Sequence, residues 1–108
     1  MPAVPDAVFS ALADPTRRQV LGLVAQRGPA SATTLVRELP VSRQAIAKHL
    51  GALSRAGLVV GERQGQEVRY ALVPAPLEDA AAWLAEIEAQ WDRRLERLRA
   101  LLTPTLTP

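Results

Sequence analysis

The chain has 108 residues, of which 48% are hydrophobic and 22% charged, and its formal net charge is +2. A chain of this length makes one domain with a modest core, so residues 1–108 are expected to fold as a single unit. It has no cysteine, which excludes disulfides, thiolate metal sites and a cysteine nucleophile. No stretch approaches the ~18 apolar residues of a membrane span, and the N-terminus does not resemble a signal peptide. We therefore expect a soluble, cytoplasmic protein.

Charge is distributed unevenly along the chain. Residues 14–73 contain nine Lys and Arg against four Asp and Glu, whereas residues 74–108 contain four Arg against six acids. A basic middle followed by a mildly acidic end indicates that the middle faces a polyanion. Scattered solubilising charge is the alternative explanation.

Two helices are predicted before residue 28. Asp6 is placed to cap the first, whose apolar face consists of Val8, Phe9 and Leu12. Asp14 is a good N-cap for the second, and Pro15 suits its first position because the N–H that proline lacks has no partner there. The second helix is predicted from Thr16 to about Gln26, where Gly28 and Pro29 end it.

The next two helices are predicted to form a helix-turn-helix. Ser31 can cap a third helix, whose apolar positions follow the spacing of an amphipathic helix: Ala32, Leu35, Val36 and Leu39. Pro40 breaks this helix and Ser42 caps a fourth, so only about three residues are expected between them. Two short helices joined by so tight a turn are typical of a helix-turn-helix. The fourth helix is expected to end at Ala56-Gly57.

A hairpin and a long helix complete the predicted fold. Leu58 to Val60 begin a strand, Gln64-Gly65-Gln66 form a turn, and the second strand alternates with its inward side at Val68, Tyr70 and Leu72. A single helical pattern runs from Leu77 to Leu102, and residues 103–108 are expected to be frayed. The fold class is thus mainly α with a small β-hairpin, a winged helix-turn-helix with residues 6–76 as DNA-binding core and 77–102 as dimerisation helix.

The exposed face of the fourth helix has the side chains that a DNA-reading helix needs. At 100° per residue, Ile46, Leu50 and Leu53 share a buried arc, and the polar or small residues lie opposite. Arginine can pair with guanine, glutamine with adenine, and an alanine methyl can touch a thymine methyl. Ser42 and the free N–H groups beside it can hold a phosphate. The candidate DNA-binding residues are therefore Ser42, Arg43, Gln44, Ala47 and Lys48, with an ordinary solvated helix face as the alternative.

His49 and the hairpin residues each allow two interpretations. The projection places His49 at the flank of the buried arc, where it is either a packed, hydrogen-bonded residue or a further DNA contact. Arg63, Gln64 and Arg69 surround the hairpin turn and could meet phosphate or the minor groove. Exposed hairpins also carry charge for solubility, and Glu62 and Glu67 weaken the positive field here.

The last helix carries a seven-residue apolar repeat. Leu77, Leu84, Trp91 and Leu98 recur at that interval, Ile87 lies three residues after Leu84, and Leu95 continues the stripe where position 94 is Arg. A domain this small cannot cover such a stripe alone, so a partner helix in a twofold dimer is expected. Packing within one chain is the alternative.

Functions other than DNA binding have less support in the sequence. The sequence has one histidine and no glycine-rich phosphate loop, and its paired acids resemble solvated helix faces, so no catalytic site, metal or cofactor is expected. A winged-helix module that binds protein rather than DNA is the runner-up. A small-molecule effector bound near Phe9, Trp83 and Trp91 would add to a regulatory function.

Three segments resemble the ArsR-type family of bacterial winged-helix repressors: ALADPTRRQVLGLV, LPVSRQAIAKHLGALSRAGLV and GQEVRYAL. The resemblance covers roughly residues 6–102. It implies a homodimer formed by the first and last helices. It also implies that the fourth helix lies in the major groove and reads DNA through its first residues, which here are Ser42, Arg43, Gln44, Ala47 and Lys48. The implied dimer interface comprises Val8, Phe9, Leu12, Leu84, Ile87, Trp91, Leu95 and Leu98.

The sequence departs from that family's metal sensors in two places. Many members carry cysteines near the start of the third helix, where this chain reads ATTLVREL, and others use histidine and acidic ligands on the last helix, which here has no histidine. The chain instead resembles metal-independent members through Trp91-Asp92-Arg93-Arg94-Leu95. Its wing tip is also less basic than family wings often are.

Overall fold

The computed structural model describes residues 5–102. Its elements in chain order are α1 (Asp6–Leu12), α2 (Pro15–Arg27), α3 (Ala32–Leu35), α4 (Arg43–Arg55), β1 (Val59–Gln64), β2 (Glu67–Leu72) and α5 (Ala75–Leu102). This order is the winged helix-turn-helix that the sequence predicts. The predicted frayed tail at 103–108 lies outside the described residues.

Three side-chain caps set where helices begin. Asp14 accepts a hydrogen bond from the Arg17 amide at the start of α2, and Ser31 and Ser42 cap α3 and α4 in the same way. The prediction that Asp6 caps α1 is wrong. Pro5 precedes the helix and its carbonyl already accepts the first amide bonds, so Asp6 is the first helical residue instead.

The third helix is shorter than predicted. It ends at Leu35, and the amides of Arg37 and Glu38 bond three residues back, which tightens the chain into a turn. Seven residues therefore separate α3 from α4 instead of about three. Val36 and Leu39 still pack against the core from this turn, which is why their spacing looked helical.

The core lies between α2, α4 and the base of the hairpin. Its fully buried side chains come from all of these parts and from α3: Val20, Val24, Leu35, Ile46, Leu50, Leu53 and Leu58. The arc predicted for the fourth helix is thus confirmed as its buried face. Since this face is fixed against α2, the opposite face of α4 must point outward.

The hairpin is tied to the helical body through its second strand. β1 and β2 pair antiparallel with Gly61 opposite Tyr70, and the turn falls at Gly65, where φ is +65°. The Tyr70 amide and carbonyl exchange hydrogen bonds of 2.8 and 3.0 Å with Ala30. A third segment of chain therefore braces the wing, which a two-stranded hairpin needs for stability in water.

Helix α5 extends well beyond the body. The described residues span 76 Å along their longest axis but 29 and 20 Å across it, and α5 alone has 28 residues. It begins at Ala75, two residues earlier than predicted, with Pro76 in its first turn where proline is tolerated. No helix within 5–102 is both long and apolar enough to cross a membrane.

Candidate nucleic-acid interface

One face of α4 is exposed along its first two turns. Ser42, Arg43, Gln44, Ala47 and Lys48 are all exposed, whereas Ile46 and Leu50 on the other side are fully buried. The structure thus brings together the five residues that the projection selects. Arg43 and Lys48 form no ion pair with any residue between 5 and 102, so their charge is available to a polyanion.

His49 lies apart from this face and joins α4 to α2. It is half-buried, and its Nδ1 accepts a hydrogen bond of 3.4 Å from Nε of Arg17. Arg17 also donates to the carbonyl of Ala11, so one guanidinium links α1, α2 and α4. This geometry matches the packed, hydrogen-bonded reading of His49. Any DNA contact by its ring would compete with that bond.

A carboxylate completes this cluster. The Arg17 amide donates to Asp14 Oδ1 at 3.1 Å, and this bond holds the pKa of Asp14 below its ordinary value of 3.8, with a smaller contribution from nearby His49. Asp14 therefore stays ionised at neutral pH and caps α2 as an anion. The cluster sets the relative position of α2 and α4.

The wing residues divide between exposed and tethered positions. Arg63 and Gln64 are exposed near the tip. Arg69 instead donates to the carbonyl of Pro29 at 2.9 Å and more weakly to Gln64 at 3.4 Å. Arg69 is thus committed to bracing the wing against the chain before α3, and Arg63 is the wing arginine with a free side chain in the described residues.

A crevice separates the first turns of α4 from β2. It has a volume of about 190 Å³, and the residues around it include Ser31 and Thr33 at the start of α3, Arg43 and Ala47 on α4, and Glu67 and Tyr70 on β2. We call it the α4–wing crevice. The crevice opens on the same face as the candidate DNA-binding residues, because Arg43 and Ala47 belong both to that set and to the crevice lining.

Two residues that line this crevice are not predicted as site residues by the sequence: Thr33, and Tyr70, which is predicted only as an inward-facing residue of the second strand. Nε of Arg43 donates to the Thr33 hydroxyl at 3.1 Å, a contact between residues ten positions apart. A Cβ at Gly61 would lie 3.0 Å from Cε1 of Tyr70 and 2.9 Å from Cγ1 of Val68, so glycine lets the Tyr70 ring lie across β1. The pairing of glycine with an aromatic residue across a hairpin is the one sequence signal that could have indicated the position of the Tyr70 ring.

The predicted seam of α5 is exposed over most of its length. Leu84, Ile87, Trp91 and Leu98 are 51%, 41%, 55% and 49% exposed, and Leu95 is half-buried. Phe9 and Leu12 of α1 pack partly against the core. Val8 is only 4% exposed and belongs to the core of its own chain, so it has little surface to offer a partner.

The three aromatic residues considered for an effector site differ in their surroundings. The rings of Phe9 and Trp83 pack with centroids 5.3 Å apart, which joins α1 to α5. Trp91 lies about 12 Å further along the helix, where the Arg94 guanidinium covers its ring at 5.9 Å. Among the described residues no group of three His, Cys, Asp or Glu side chains could hold a metal ion.

The fold and this exposed helix define a winged helix-turn-helix protein, and comparison with known proteins narrows the class. A family model described as a helix-turn-helix domain matches residues 12–62. The chain is similar to the HTH-type transcriptional regulator Rv2034 of Mycobacterium tuberculosis, at 40% identity over 84% of this chain and 81% of that protein. It is similar to the transcriptional repressor SdpR of Bacillus subtilis, at 32% identity over 82% of this chain and 97% of the repressor.

Solved structures agree with these relatives. An ArsR-like transcriptional regulator from Rhodococcus sp. RHA1 superposes with a TM-score of 0.77, at 45% identity over 90% of this chain and 91% of that one. A homodimeric winged helix-turn-helix DNA-binding domain of Mycobacterium bovis, a possible ArsR-family regulator, gives a TM-score of 0.59 at 29% identity, over 85% and 82% of the two chains. The chain belongs to the ArsR family of winged helix-turn-helix, DNA-binding transcriptional regulators. These relatives are regulators and not enzymes.

Proposed function

We propose that the protein is a homodimeric repressor that occupies a palindromic promoter site through α4 of each protomer. The observation that carries this proposal is the exposed first half of α4, where small and long polar side chains lie opposite a fully buried apolar face. Only the N-terminal half of such a helix approaches base edges in the major groove. Gln44, Ala47 and Lys48 are the side chains placed to do so, and Ser42 and Arg43 lie at the first turn.

Dimerisation is supported by the exposed seam of α5. A stripe of large apolar side chains on one helix face is uncommon on a monomer surface and marks an interface. The homodimeric Mycobacterium bovis domain shares this fold. A second copy covering the seam would relate two α4 helices by a twofold axis, and the DNA site would then be palindromic.

The charges of α5 favour an antiparallel pairing. The acids at 78, 79, 86 and 88 occupy its first half without a Lys or Arg, and its last third carries four arginines, at 93, 94, 97 and 99, against one acid, Glu96. An antiparallel partner places each acidic half beside a basic end, whereas a parallel partner sets like charges together. The two α5 helices would cross near Trp91, and the twofold axis would pass through this crossing point, perpendicular to both helices.

The proposed repressor belongs to the metal-independent branch of the family. Supporting this, the sequence contains no cysteine and its one histidine hydrogen-bonds Arg17 between two helices. Repression itself is inferred from similarity to the Bacillus subtilis repressor. Occupying a promoter palindrome would block transcription without any catalytic step.

Salt dependence tests the DNA interface. A duplex selected from a random DNA pool with purified protein supplies the probe. Neutralising several phosphates makes the binding constant fall steeply as salt rises. The logarithm of the binding constant falls against the logarithm of the salt concentration with a slope of about −0.9 for each phosphate contacted.

Replacing Gln44 by Ala tests base reading. This change is expected to cost roughly 1–3 kcal/mol of binding free energy and to relax sequence preference at one base pair of each half-site. Binding that is insensitive to salt, or a Gln44→Ala protein with unchanged preference, would contradict this proposal.

A further inference from the structure

The α4–wing crevice holds Arg43, the one arginine in the first turn of α4, in a defined orientation. Nε of Arg43 donates to the Thr33 hydroxyl at 3.1 Å, and the two terminal nitrogens of the guanidinium have no hydrogen-bond partner among residues 5–102. Because the bond joins α4 to the start of α3, it draws the side chain to the flank of α4. An arginine reading guanine from the middle of the groove would need to leave this bond.

The surroundings of Arg43 fit a phosphate group. The crevice has about 190 Å³, roughly six times the ~30 Å³ of a liquid water molecule, so a phosphate can enter with its solvent. Arg43 forms no ion pair in the described part of the chain. The lining also includes the aromatic residue Tyr70 and one carboxylate, Glu67, which lies on the exposed wing and opposes an incoming anion.

The position of the crevice says which phosphate would reach it. Ala47 borders both the crevice and the exposed face of α4, so a duplex seated on α4 must pass over the crevice mouth. The edge of a groove occupied by a helix is formed by a sugar-phosphate strand, and here that strand would run between α4 and the wing. Contacts to that strand position a protein on DNA without reading sequence.

We propose that the α4–wing crevice binds one phosphodiester of the DNA backbone, with Arg43 as its charge partner and Thr33 as the residue that positions the guanidinium. This inference rests on the proposed DNA-binding function and assigns Arg43 to backbone contact instead of base reading. Glu67 limits the strength of the contact. The three residues together act as a backbone clamp beside the base-reading residues Gln44, Ala47 and Lys48.

Variants of the 108-residue chain distinguish a backbone contact by Arg43 from base reading by the same residue. Binding is measured across a salt series on the duplex selected from a random pool and on a scrambled duplex of equal length. Arg43→Ala is expected to weaken binding to both by about tenfold or more, and to reduce the salt slope by about 0.9 for each protomer bound. Arg27→Ala removes the same charge from the exposed last turn of α2, where Arg27 pairs with Glu38, and serves as the matched control. It should leave the affinity close to that of the unmodified protein.

The neighbours of Arg43 give two further tests. Thr33→Val removes the hydroxyl but keeps the shape of the side chain, so it should weaken binding to both duplexes with an unchanged salt slope. Glu67→Gln removes the opposing charge and should tighten binding to both. Helical circular dichroism and thermal unfolding of each variant check that the fold is intact.

A double-mutant cycle with modified DNA decides the assignment. Single phosphates of the selected duplex are replaced by neutral methylphosphonates, and single guanines by 7-deazaguanine, which lacks the N7 acceptor. We expect one methylphosphonate position at which Arg43→Ala causes no further loss, and independent effects at every 7-deazaguanine. Coupling of Arg43 to a 7-deazaguanine, or a loss confined to the selected duplex, would overturn the clamp. So would an Arg43→Ala protein that binds both duplexes normally. If the unmodified protein binds no duplex at all, the proposed function itself fails.

Discussion

Truncation of Trp91 probes the proposed dimer at the centre of its seam. Trp91 is 55% exposed in the single chain. If a tryptophan side chain offers roughly 250 Å², about 140 Å² remains for a partner to cover. At ~25 cal/mol per Å² this surface stabilises the dimer by about 3 kcal/mol for each protomer. The figure is an upper value, because association also costs side-chain and rigid-body entropy. Allowing for these costs, we expect Trp91→Ala to raise the dimer dissociation constant by roughly a hundredfold, which corresponds to about 2.7 kcal/mol.

Sedimentation equilibrium over a range of protein concentrations measures this constant directly. Gln90→Ala is the matched control, since Gln90 is exposed and uncharged and lies roughly 100° around the helix from Trp91, and its loss should change the dimer little. Circular dichroism at each concentration separates dissociation from unfolding. A Trp91→Ala protein with the same dimer constant as the unmodified chain would refute the assignment of this seam.

Three further predictions concern stability. Ser42→Ala removes the α4 cap, whose hydroxyl accepts an amide at 3.1 Å, and is expected to cost about 1 kcal/mol in a urea titration. Gly61→Ala places a Cβ 2.9 Å from Val68 and should destabilise the wing by about 1–3 kcal/mol. Gly22→Ala on α2, with nothing within 4 Å, is its control and should stabilise by about 0.5–1 kcal/mol. The pKa of Asp14 is lowered on folding, so its contribution to stability is present above pH 3.8 and is lost as pH falls through its folded value. Asp14→Asn keeps the cap without titrating, so acid should destabilise that variant less.

Local chemistry explains most of the features that the sequence predicts correctly. Asp14, Ser31 and Ser42 each precede a helix and cap it as expected, because a cap is a contact between residues three positions apart. The exposed face of α4 follows from helical periodicity alone. These features depend on near neighbours in the chain, which a single sequence displays.

The features that the sequence does not predict depend on contacts between distant residues. The spacing of Val36 and Leu39 suits a helix, yet the chain turns after Leu35 while both side chains remain against the core. Arg69 looks like a free wing cation, but the carbonyl of Pro29, forty positions away, accepts its hydrogen bond. The bond from Arg43 to Thr33 is equally invisible in the sequence, since nothing in either segment specifies their approach.

The central claim is that α4 of two symmetry-related protomers reads one DNA site, and selection from a random DNA pool tests it most directly. Purified protein is bound to the pool, and the enriched duplexes are sequenced. The account predicts a palindrome whose half-site centres lie about 34–36 Å, or a multiple of that distance, apart. It also predicts that a Gln44→Ala protein selects a site with altered preference at one position of each half. Failure to enrich any sequence, or enrichment of a site without twofold symmetry, would contradict the account.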